Sequence, residues 1–204
     1  MTSPFEQIAP RYARLWSETA RGRAQREHVW REFDTLFRSG GRLLDLGCGT
    51  GDDAAHLMSL GVDVLGIDSA ANMVQVARTR GVDARHMAIE ELGSLEERFD
   101  GAISNFGALN CIADLAAVGS DLARLVHPHG TLALCVMSRF CWRNDWGHLL
   151  QRWSGQAVWR GIDVYYRSAG AIIRAFAPHF EFQRNVSIGR GDHRLLIFTR
   201  RPGC

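Results

Sequence analysis

Short apolar runs alternate with helix-like spacings of apolar residues through the middle of this chain. The runs predict strands, and the stretches between them near 52–60, 70–80 and 113–126 have the periodicity of helices. Strands that alternate with helices are typical of βαβ units, with a mostly parallel sheet and right-handed crossovers. The predicted strands cover 42–46, 62–67, 84–87, 99–104 and 131–137.

The two ends of the chain have different patterns. Apolar residues at helical spacing before position 38 predict two helices, the second of them around Val29 and Phe33. Near the other end, a predicted helix over 168–177 precedes two strand-like segments, 180–186 and 195–199. Because only a short turn-forming stretch separates these segments, we expect an antiparallel hairpin at the edge of the sheet.

Composition narrows the class of protein. With 204 residues, 46% of them hydrophobic, the chain can bury one sizeable core, and we expect a single domain. Its formal net charge of +2 predicts neither a nucleic-acid surface nor a surface for anionic membranes. The sequence contains no lysine, which excludes Schiff-base chemistry and a Walker-type phosphate loop, since both need the amine.

Cysteine usage and hydropathy bear on the protein's location. The 5 cysteines are scattered, without a Cys-x-x-Cys pair or histidines at zinc-ligand spacing, so we expect no metal site and a reduced, cytoplasmic setting. The N-terminus lacks the continuous apolar stretch of a signal peptide, and no apolar run approaches the roughly 20 residues that span a bilayer. We therefore expect a soluble protein that does not bind membranes.

A glycine-rich turn carries the clearest chemistry. The first predicted strand runs into LLDLGCGTG at 43–51 and then into a helix, which places free backbone N–H groups and the positive end of a helix dipole beside the turn. Such a turn suits an anionic group, and glycine lets the backbone approach a ligand closely. A tight strand-to-helix turn without any ligand is the alternative.

The residues after the turn separate two ligand classes. The dinucleotide fingerprint Gly-x-Gly-x-x-Gly needs glycine where this chain has Asp52, and Asp53 follows. Two carboxylates repel a pyrophosphate, but they suit S-adenosylmethionine, which has an ammonium group, a cationic sulfonium and no phosphate. Asp68 stands about 20 residues beyond the glycines, where a carboxylate accepts hydrogen bonds from ribose hydroxyls. Asp68 could instead cap the next helix, a role that Ser69 could fill equally well.

These segments resemble a known family. LLDLGCGTG at 43–51, followed by VLGIDSAANM at 64–73, is similar to motifs I and II of the class I S-adenosylmethionine-dependent methyltransferases, particularly the small methyltransferase-domain enzymes of types 11 and 25. The family's adenine loop, motif IV and turn into the fifth strand resemble HMAIEEL at 86–92, FDGAISN at 99–105 and LVHPHGTL at 125–132.

The resemblance, which covers about residues 41 to 137, implies a fold and a cofactor. The fold is an α/β, Rossmann-like, doubly wound sheet of seven strands in the order 3-2-1-4-5-7-6, with strand 7 antiparallel, N-terminal helices and a helical lid between strands 5 and 6. The cofactor is S-adenosylmethionine, with S-adenosylhomocysteine as the product. Within one domain, 1–204, we expect an N-terminal helical lid (1–38), a cofactor-binding core (39–137), an acceptor-pocket insertion (138–166) and a C-terminal helix and hairpin (167–204).

The family's cofactor contacts carry over position by position. Gly47 and Gly49 would line the methionine moiety, and Asp45 would reach its ammonium. Met73 and Ile89 would flank the adenosyl group, although both could equally be ordinary core residues. The complete set that the resemblance implies is Tyr12, Asp45, Gly47, Cys48, Gly49, Asp68, Ser69, Met73, Ala88, Ile89, Glu90 and Asn105.

Motif IV bears on the methyl acceptor. Methyl transfer is an in-line displacement, so the enzyme mainly orients the acceptor, and an alcohol or amide needs a positioned base as well. Enzymes that methylate nucleobase amines resemble one another in an Asn/Asp-Pro-Pro-aromatic tetrapeptide, whereas this chain has SNFG at 104–107. We therefore expect methylation at O or N of a small molecule, such as a secondary metabolite, and no nucleic-acid substrate.

The aromatic segment 138–166 is the expected acceptor lid. Together with the N-terminal helices it would cover a small apolar or aromatic acceptor, although its aromatic residues could equally complete the core of a helical subdomain. His148 is the candidate base. The candidate acceptor contacts are Phe106, Asn110, Trp142, Trp146 and Tyr165.

Other functions stay open at this point. The same motifs would suit a non-catalytic module that binds S-adenosylmethionine and a protein partner, or a methyltransferase that acts on RNA or protein. A nicotinamide oxidoreductase is a third alternative, which Asp52 disfavours. We expect the chain to act as a monomer or a homodimer.

Overall fold

The computed structural model describes residues 4–137, 155–159 and 161–203. None of the helices in these ranges is long and apolar enough to cross a membrane. The α-helices are α1 Pro4–Ile8, α2 Ala20–Leu36, α3 Asp52–Ser59, α4 Ala71–Thr79, α5 Leu115–Leu125 and α6 Ala169–Phe176. The strands are β1 Arg42–Leu46, β2 Asp63–Asp68, β3 Asp83–His86, β4 Phe99–Ser104, β5 Val126–Met137, β6 Gln156–Trp159, β7 Ile162–Tyr165, β8 Phe180–Ile188 and β9 His193–Arg200.

Seven strands form the central sheet, in the order β3-β2-β1-β4-β5-β9-β8. Strands β1 to β5 pair in parallel, whereas β9 lies antiparallel between β5 and β8. Counting β8 and β9 as the sixth and seventh strands of this sheet, the expected order 3-2-1-4-5-7-6 with an antiparallel strand 7 is confirmed. The carboxyl ends of the parallel strands meet at one edge, which is where ligands bind in sheets of this kind.

Helices cover both faces of the sheet. On one face, α5 and α6 bury Leu122 and Phe176, and on the other, α2, α3 and α4 bury Phe33, Leu57 and Val74. α2 is therefore a core helix, although the sequence placed it in an N-terminal lid. Only the segment before α2 is left to act as a cover over the carboxyl edge.

That first segment differs from the single helix expected there. It breaks into α1, a 3-10 turn at Ala9–Arg11 and a π-helix at Ala13–Ser17. Pro10 lies at the start of the 3-10 turn and has no backbone N–H with which to continue α1. α2 then begins after Thr19, whose hydroxyl accepts a hydrogen bond from the backbone N–H of Gly22 at 3.0 Å.

The insertion expected as a helical lid forms a β-hairpin where the structure describes it. β6 and β7 pair antiparallel across a turn at Gly161, which has a φ of 87°. The β-branched and aromatic residues Val158, Trp159, Ile162, Val164 and Tyr165 favour strands over a helix here. Trp142, Trp146 and His148 lie outside the described residues, and so does the rest of 138–154.

Candidate functional site

The glycine turn follows β1 at the carboxyl edge of the sheet. Gly47, Gly49 and Gly51 have φ values of 73°, 53° and 76°, in the left-handed region that favours glycine. A Cβ on Gly47 would collide with the side chain of Ala108, whereas a Cβ on Gly49 would have no protein atom within 4 Å. The fold therefore needs glycine at position 47, and the open face of Gly49 leaves room for a ligand.

The N–H groups of this turn are not free, contrary to the sequence prediction. Gly47 and Cys48 both donate to the carbonyl of Ile67, at 2.9 Å each. Gly49 N donates to Asp68 Oδ2 at 2.9 Å. The turn folds back over the end of β2, so its donors bind the protein itself, and a ligand must be held largely by side chains.

Asp68 binds backbone N–H groups at both ends of the site, and its ribose role stays a prediction. Its carboxylate accepts hydrogen bonds from Gly49 N at 2.9 Å and from Ala70 N, at the start of α4, at 2.8 Å. Burial raises its pKa, and these two N–H groups oppose that shift. Because each carboxylate oxygen has a second acceptor site, Asp68 can hold the turn and still accept ribose hydroxyls.

Asp45 is the most unusual group in the site. Its residue is 1% exposed, and Oδ2 has no hydrogen-bond partner among the described residues. Burial and, next, the charge of Asp53 raise the pKa of Asp45 well above its ordinary value. A buried carboxylate without a partner is costly, so this position fits a ligand that brings a cationic group.

Arg26 is a site residue that sequence reasoning missed. It lies on α2, is 6% exposed, and places Nη1 2.7 Å from Asp53 Oδ2. Burial alone would lower its pKa, but Asp53 and Asp52 raise it above the ordinary value. Its Nε is buried without a partner among the described residues, which leaves a donor for an anionic ligand group. The adjacent carboxylates Asp52 and Asp53 were the only sequence signal for such a cation.

Two further buried donors have no partner in the part of the chain that the structure describes, Trp16 Nε1 and Asn105 Nδ2. Trp16 packs edge-on against Phe106, with ring centroids 6.2 Å apart, and the guanidinium of Arg26 lies 5.0 Å from the same ring. Native proteins leave few buried polar atoms unpaired, so their concentration around Phe106 marks a place built for a ligand.

Phe106 itself has a backbone conformation that is rare for its type. Its φ is 51°, and its N–H donates to Asn105 Oδ1 at 3.0 Å. The left-handed region costs a residue other than glycine about 1–2 kcal/mol. Strain of this kind concentrates at binding sites, where it aims a side chain that the fold would otherwise place elsewhere.

The segment before α2 closes over the start of α4. Glu6 accepts hydrogen bonds from Ala71 N at 2.7 Å and Asn72 N at 2.8 Å, so α1 caps a helix whose own N-cap residue, Ala70, has no capping side chain. Met73 is buried here against Ala9 and Ala70. Glu6 was not predicted, since the pair is 65 residues apart in sequence.

Tyr12 belongs to the same cover. It packs on the small cluster that contains Met73, and burial raises the pKa of its phenol to about 12. Ser17, at the end of the π-helix, donates to Asp52 Oδ2 at 3.1 Å. The cover is therefore joined both to α4 and to α3, on either side of Asp68.

The predicted adenine contacts occupy the loop after β3. Ile89 is buried in the core and its side chain approaches Gly47, while Glu90 is exposed. The N–H of Ala88 donates to the carboxylate of Glu91 at 2.7 Å. Contact of Ala88 with adenine stays a prediction, since its N–H already has this partner.

Other predicted residues have evident packing roles. Cys48 is buried beneath β2, where a Cβ on Gly66 would meet its side chain at 2.9 Å, and burial raises its pKa. Ser69 is exposed, and its carbonyl faces His86 Nε2 at 3.1 Å. In the described ranges, no three His, Cys, Asp or Glu side chains converge as metal ligands.

Asn110 ties the insertion to the sheet. Its Oδ1 accepts from Met137 N and its Nδ2 donates to the carbonyl of Tyr165, each at 2.8 Å. Tyr165 also stacks under the guanidinium of Arg167, 4.7 Å from its ring centroid. These contacts hold the β6–β7 hairpin against the end of β5, and contact of Asn110 or Tyr165 with an acceptor stays a prediction.

A family model described as methyltransferase domain matches residues 17–183, which include the glycine turn, Asp45, Asp68 and most of the sheet. The chain belongs to this family. The resemblance to class I S-adenosylmethionine-dependent methyltransferases is thereby confirmed, and so is S-adenosylmethionine as the cofactor of the family.

Curated relatives of this methyltransferase-domain chain share its core. Ubiquinone biosynthesis O-methyltransferase of Cereibacter sphaeroides is 32% identical over 124 residues, which cover 55% of this chain and 50% of that protein. Its counterpart in Xanthomonas oryzae pv. oryzae is 34% identical over 110 residues, covering 51% and 46%. The chain thus spans about half the length of the curated relatives that it matches.

A solved structure confirms the fold over nearly the whole methyltransferase-domain chain. The N-methyltransferase NodS of Bradyrhizobium japonicum WM9, in complex with S-adenosylhomocysteine, aligns with a TM-score of 0.72 at 16% identity. The alignment covers 98% of this chain and 100% of that chain.

The site residues fit the family's cofactor. Asp45 offers a buried carboxylate for an ammonium, Arg26 a buried guanidinium for a carboxylate, and Asp68 an acceptor for ribose hydroxyls. The open face of Gly49 lies among them. A zwitterionic amino-acid end and a ribose need this set of partners.

Proposed function

We propose that this chain transfers a methyl group from S-adenosylmethionine to an oxygen or nitrogen of a small-molecule acceptor. The buried carboxyl group of Asp45 carries the proposal, because its Oδ2 has no partner among the described residues and a cationic ligand group would stabilise its ionised form. The nearby Arg26 supplies the opposite charge, so the pair matches an amino acid rather than a pyrophosphate.

The cofactor supplies a methyl carbon activated by a sulfonium. The residues of the chain bind the cofactor and orient it. Asp45 and Arg26 fix the amino-acid end, and Asp68 fixes the ribose while Gly49 N and Ala70 N hold its carboxylate in place. This rigid set supports transfer by orientation, since a displacement gains most from reacting atoms held in line.

Exclusion of water is the second contribution of the chain. The cover formed by α1 and the π-helix packs Ala9 and Tyr12 over Met73, and Glu6 holds it on α4. A dry site strengthens the charge interactions of Asp45 and Arg26 and protects the reacting centre.

The acceptor is proposed from three observations. SNFG at 104–107 departs from the tetrapeptide of nucleobase N-methyltransferases, and the curated relatives are named as O-methyltransferases of ubiquinone biosynthesis. Phe106 and Trp16 offer aromatic surface next to Asn105. We therefore favour a hydroxyl acceptor on a small, partly aromatic molecule.

Calorimetry with S-adenosylhomocysteine, followed by transfer from labelled cofactor to a panel of small phenols and amines, tests the proposal. Binding and labelled product are expected. Binding without turnover on any small molecule, but with labelled RNA or protein in an extract, would contradict the acceptor class. Binding of a nicotinamide dinucleotide instead would contradict the cofactor assignment.

A glycine pair tests whether the open face of the turn binds the cofactor. Gly49→Ala and Gly40→Ala both place alanine at a positive φ without a protein atom within 4 Å of the new Cβ. Each should lose roughly 1–2 kcal/mol of stability. Only Gly49→Ala is expected to weaken S-adenosylhomocysteine binding, by about tenfold, because its Cβ occupies ligand space. Equal affinities in calorimetry would refute the placement.

A further inference from the structure

Under the proposed function, the cofactor lies along the carboxyl edge of the sheet in one orientation. Asp68 ends β2 and Ile89 follows β3, whereas Asp45 lies on β1 beside β4. A ligand with its ribose at Asp68 and its amino-acid end at Asp45 therefore leaves the edge beyond β1 for the acceptor. That side is formed by the ends of β4 and β5 and by the start of β9.

An aromatic row lines the acceptor side. Trp16 packs edge-on against Phe106, and Phe106 packs edge-on against His193, with ring centroids 5.3 Å apart and an interplanar angle of 89°. His193 begins β9 opposite Met137, the last residue of β5, so the antiparallel strand starts at the carboxyl edge.

His193 also faces the same layer as the cofactor-binding acids. Side chains alternate along a strand, so His193 shares a face with Leu195, which packs in the layer of α2 and α3. Asp45 shares that face through Leu43, by the same alternation in β1. The imidazole is 7% exposed, which keeps it away from bulk water.

The other histidines of the described ranges lie elsewhere. His56 stacks on Trp30 and bonds to Asp34, on the outside of α3. His86 ends β3, on the ribose side. His28 lies within α2, and His127, His129 and His179 lie near the opposite edge of the sheet. Among the described histidines, His193 is thus the one that lies on the acceptor side.

We propose that His193 is the catalytic base of a hydroxyl acceptor, an inference that rests on the proposed function. As the acceptor oxygen forms its bond to the methyl carbon, the carbon–sulfur bond breaks and its electron pair stays on sulfur, which becomes neutral. The hydroxyl proton passes to His193 and then to solvent. The acceptor ring packs against Phe106, whose strained backbone aims it between Trp16 and His193.

Charged groups near His193 are held by α2. Asp192 accepts hydrogen bonds from Gln25 Nε2, at 3.0 Å, and from Arg21. Arg26 lies over the ring of Phe106 and is paired with Asp53. Arg194 follows His193 on the opposite face of β9. Asp192 and Asp53 thus have arginine or glutamine partners, whereas Asp45, on the same face of the sheet, is reserved in the proposal for the cofactor's ammonium.

The test compares two acceptors in His193→Gln. One is a phenol that the wild type methylates, and the other is its nitro-substituted analogue, which is already ionised at the assay pH. The variant should lose about a hundredfold in kcat on the parent phenol and little on the ionised analogue, because only the first needs a base. KM and S-adenosylhomocysteine affinity should hold, and His56→Gln is the matched control.

An equal loss on both acceptors would show a structural role and overturn the proposal, as would a selective loss in His148→Gln with none in His193→Gln. If His193→Gln does not fold, the pH dependence of kcat in the wild type tests the proposal instead. The wild-type kcat on the parent phenol must reach a plateau well below the pKa of the free phenol, because a base takes the proton of the neutral hydroxyl. A rise that continues up to the phenol's own pKa would show transfer without a base and would overturn the proposal. Failure of the wild type to methylate any phenol would instead refute hydroxyl transfer itself.

Discussion

Two arginines, one at each edge of the sheet, show how differently the two edges are built. At the amino edge, Arg124 donates to the carbonyls of Leu92, Gly93 and Leu95 at 2.6–3.0 Å, so neutral backbone groups use its donors. At the carboxyl edge, Arg26 pairs with Asp53 at 2.7 Å and more distantly with Asp52 at 3.9 Å, while its buried Nε has no partner among the described residues. We interpret the first arrangement as one that stabilises the fold, and the second as one that binds an anionic group of a ligand.

The largest expected effect concerns the ligand edge. Asp68→Ala removes a carboxylate that would accept two ribose hydroxyls, at about 1.5–3 kcal/mol per charge-assisted bond, so affinity should fall about a hundredfold or more. Asp63→Ala is the control, since Asp63 begins the same strand at the opposite edge and pairs with Arg42. Calorimetry with S-adenosylhomocysteine measures both, and similar losses would break the contrast between the edges.

Arg124→Met tests whether the amino edge contributes to the stability of the fold. Three carbonyls lose their donor, and we expect a loss of about 2 kcal/mol in the free energy of unfolding, with unchanged cofactor affinity. Urea unfolding followed by circular dichroism measures the first quantity, and Arg98→Met, an exposed neighbour, should be nearly neutral. Weaker cofactor binding in Arg124→Met would mean that the edges are not independent.

The pH dependence of cofactor affinity tests the role of Asp45 at the carboxyl edge. Because its pKa is raised and an ammonium binds the ionised form, binding must release a proton, so affinity should increase as pH rises through that pKa and then level off. Asp45→Asn should abolish this increase and cost about tenfold in affinity above it. Without ligand the sign is opposite, since ionising the buried wild-type group costs stability as pH rises, which the variant avoids. Calorimetry and thermal unfolding at several pH values check both.

The smallest expected effect concerns the cover. Glu6→Gln keeps the size of the side chain but loses the charge that accepts two N–H groups at the start of α4. At about 0.5–1 kcal/mol for such a charge, dissociation of S-adenosylhomocysteine should become two- to fivefold faster. Stopped-flow measurements test this, with Glu27→Gln on the exposed side of α2 as control. An unchanged rate would show that the cover does not retain the cofactor.

Local patterns in the sequence predicted the framework well. β1 and β4 begin and end at the predicted residues, because charged residues and glycines bound their apolar runs, and the glycine turn and Asp68 lie where the motif spacing placed them. The order of the strands came from the family resemblance, since periodicity does not say which strands pair.

Three of the missed features depend on partners distant in sequence. The donors of the glycine turn were expected to be free, but Ile67 and Asp68 on β2 bind them. Arg26 meets Asp53, and Glu6 meets α4, only once the layers have packed. In the described part of the insertion, the β6–β7 hairpin replaces the helical lid that the family resemblance implied, although its partners are close in sequence.

The position of β9 has a consequence for how the protein is made. β5 has seven residues paired with β9, yet β9 leaves the ribosome after every other strand of this sheet. Until residues 193–200 emerge, the apolar strand β5 has an open edge of unpaired backbone groups, which is a hazard for association with other chains. Strands β1 to β4 can pair earlier during synthesis, so the acceptor side of the site is assembled last. A stalled or truncated product would thus have a folded glycine turn next to a strand whose unpaired edge can associate with other chains.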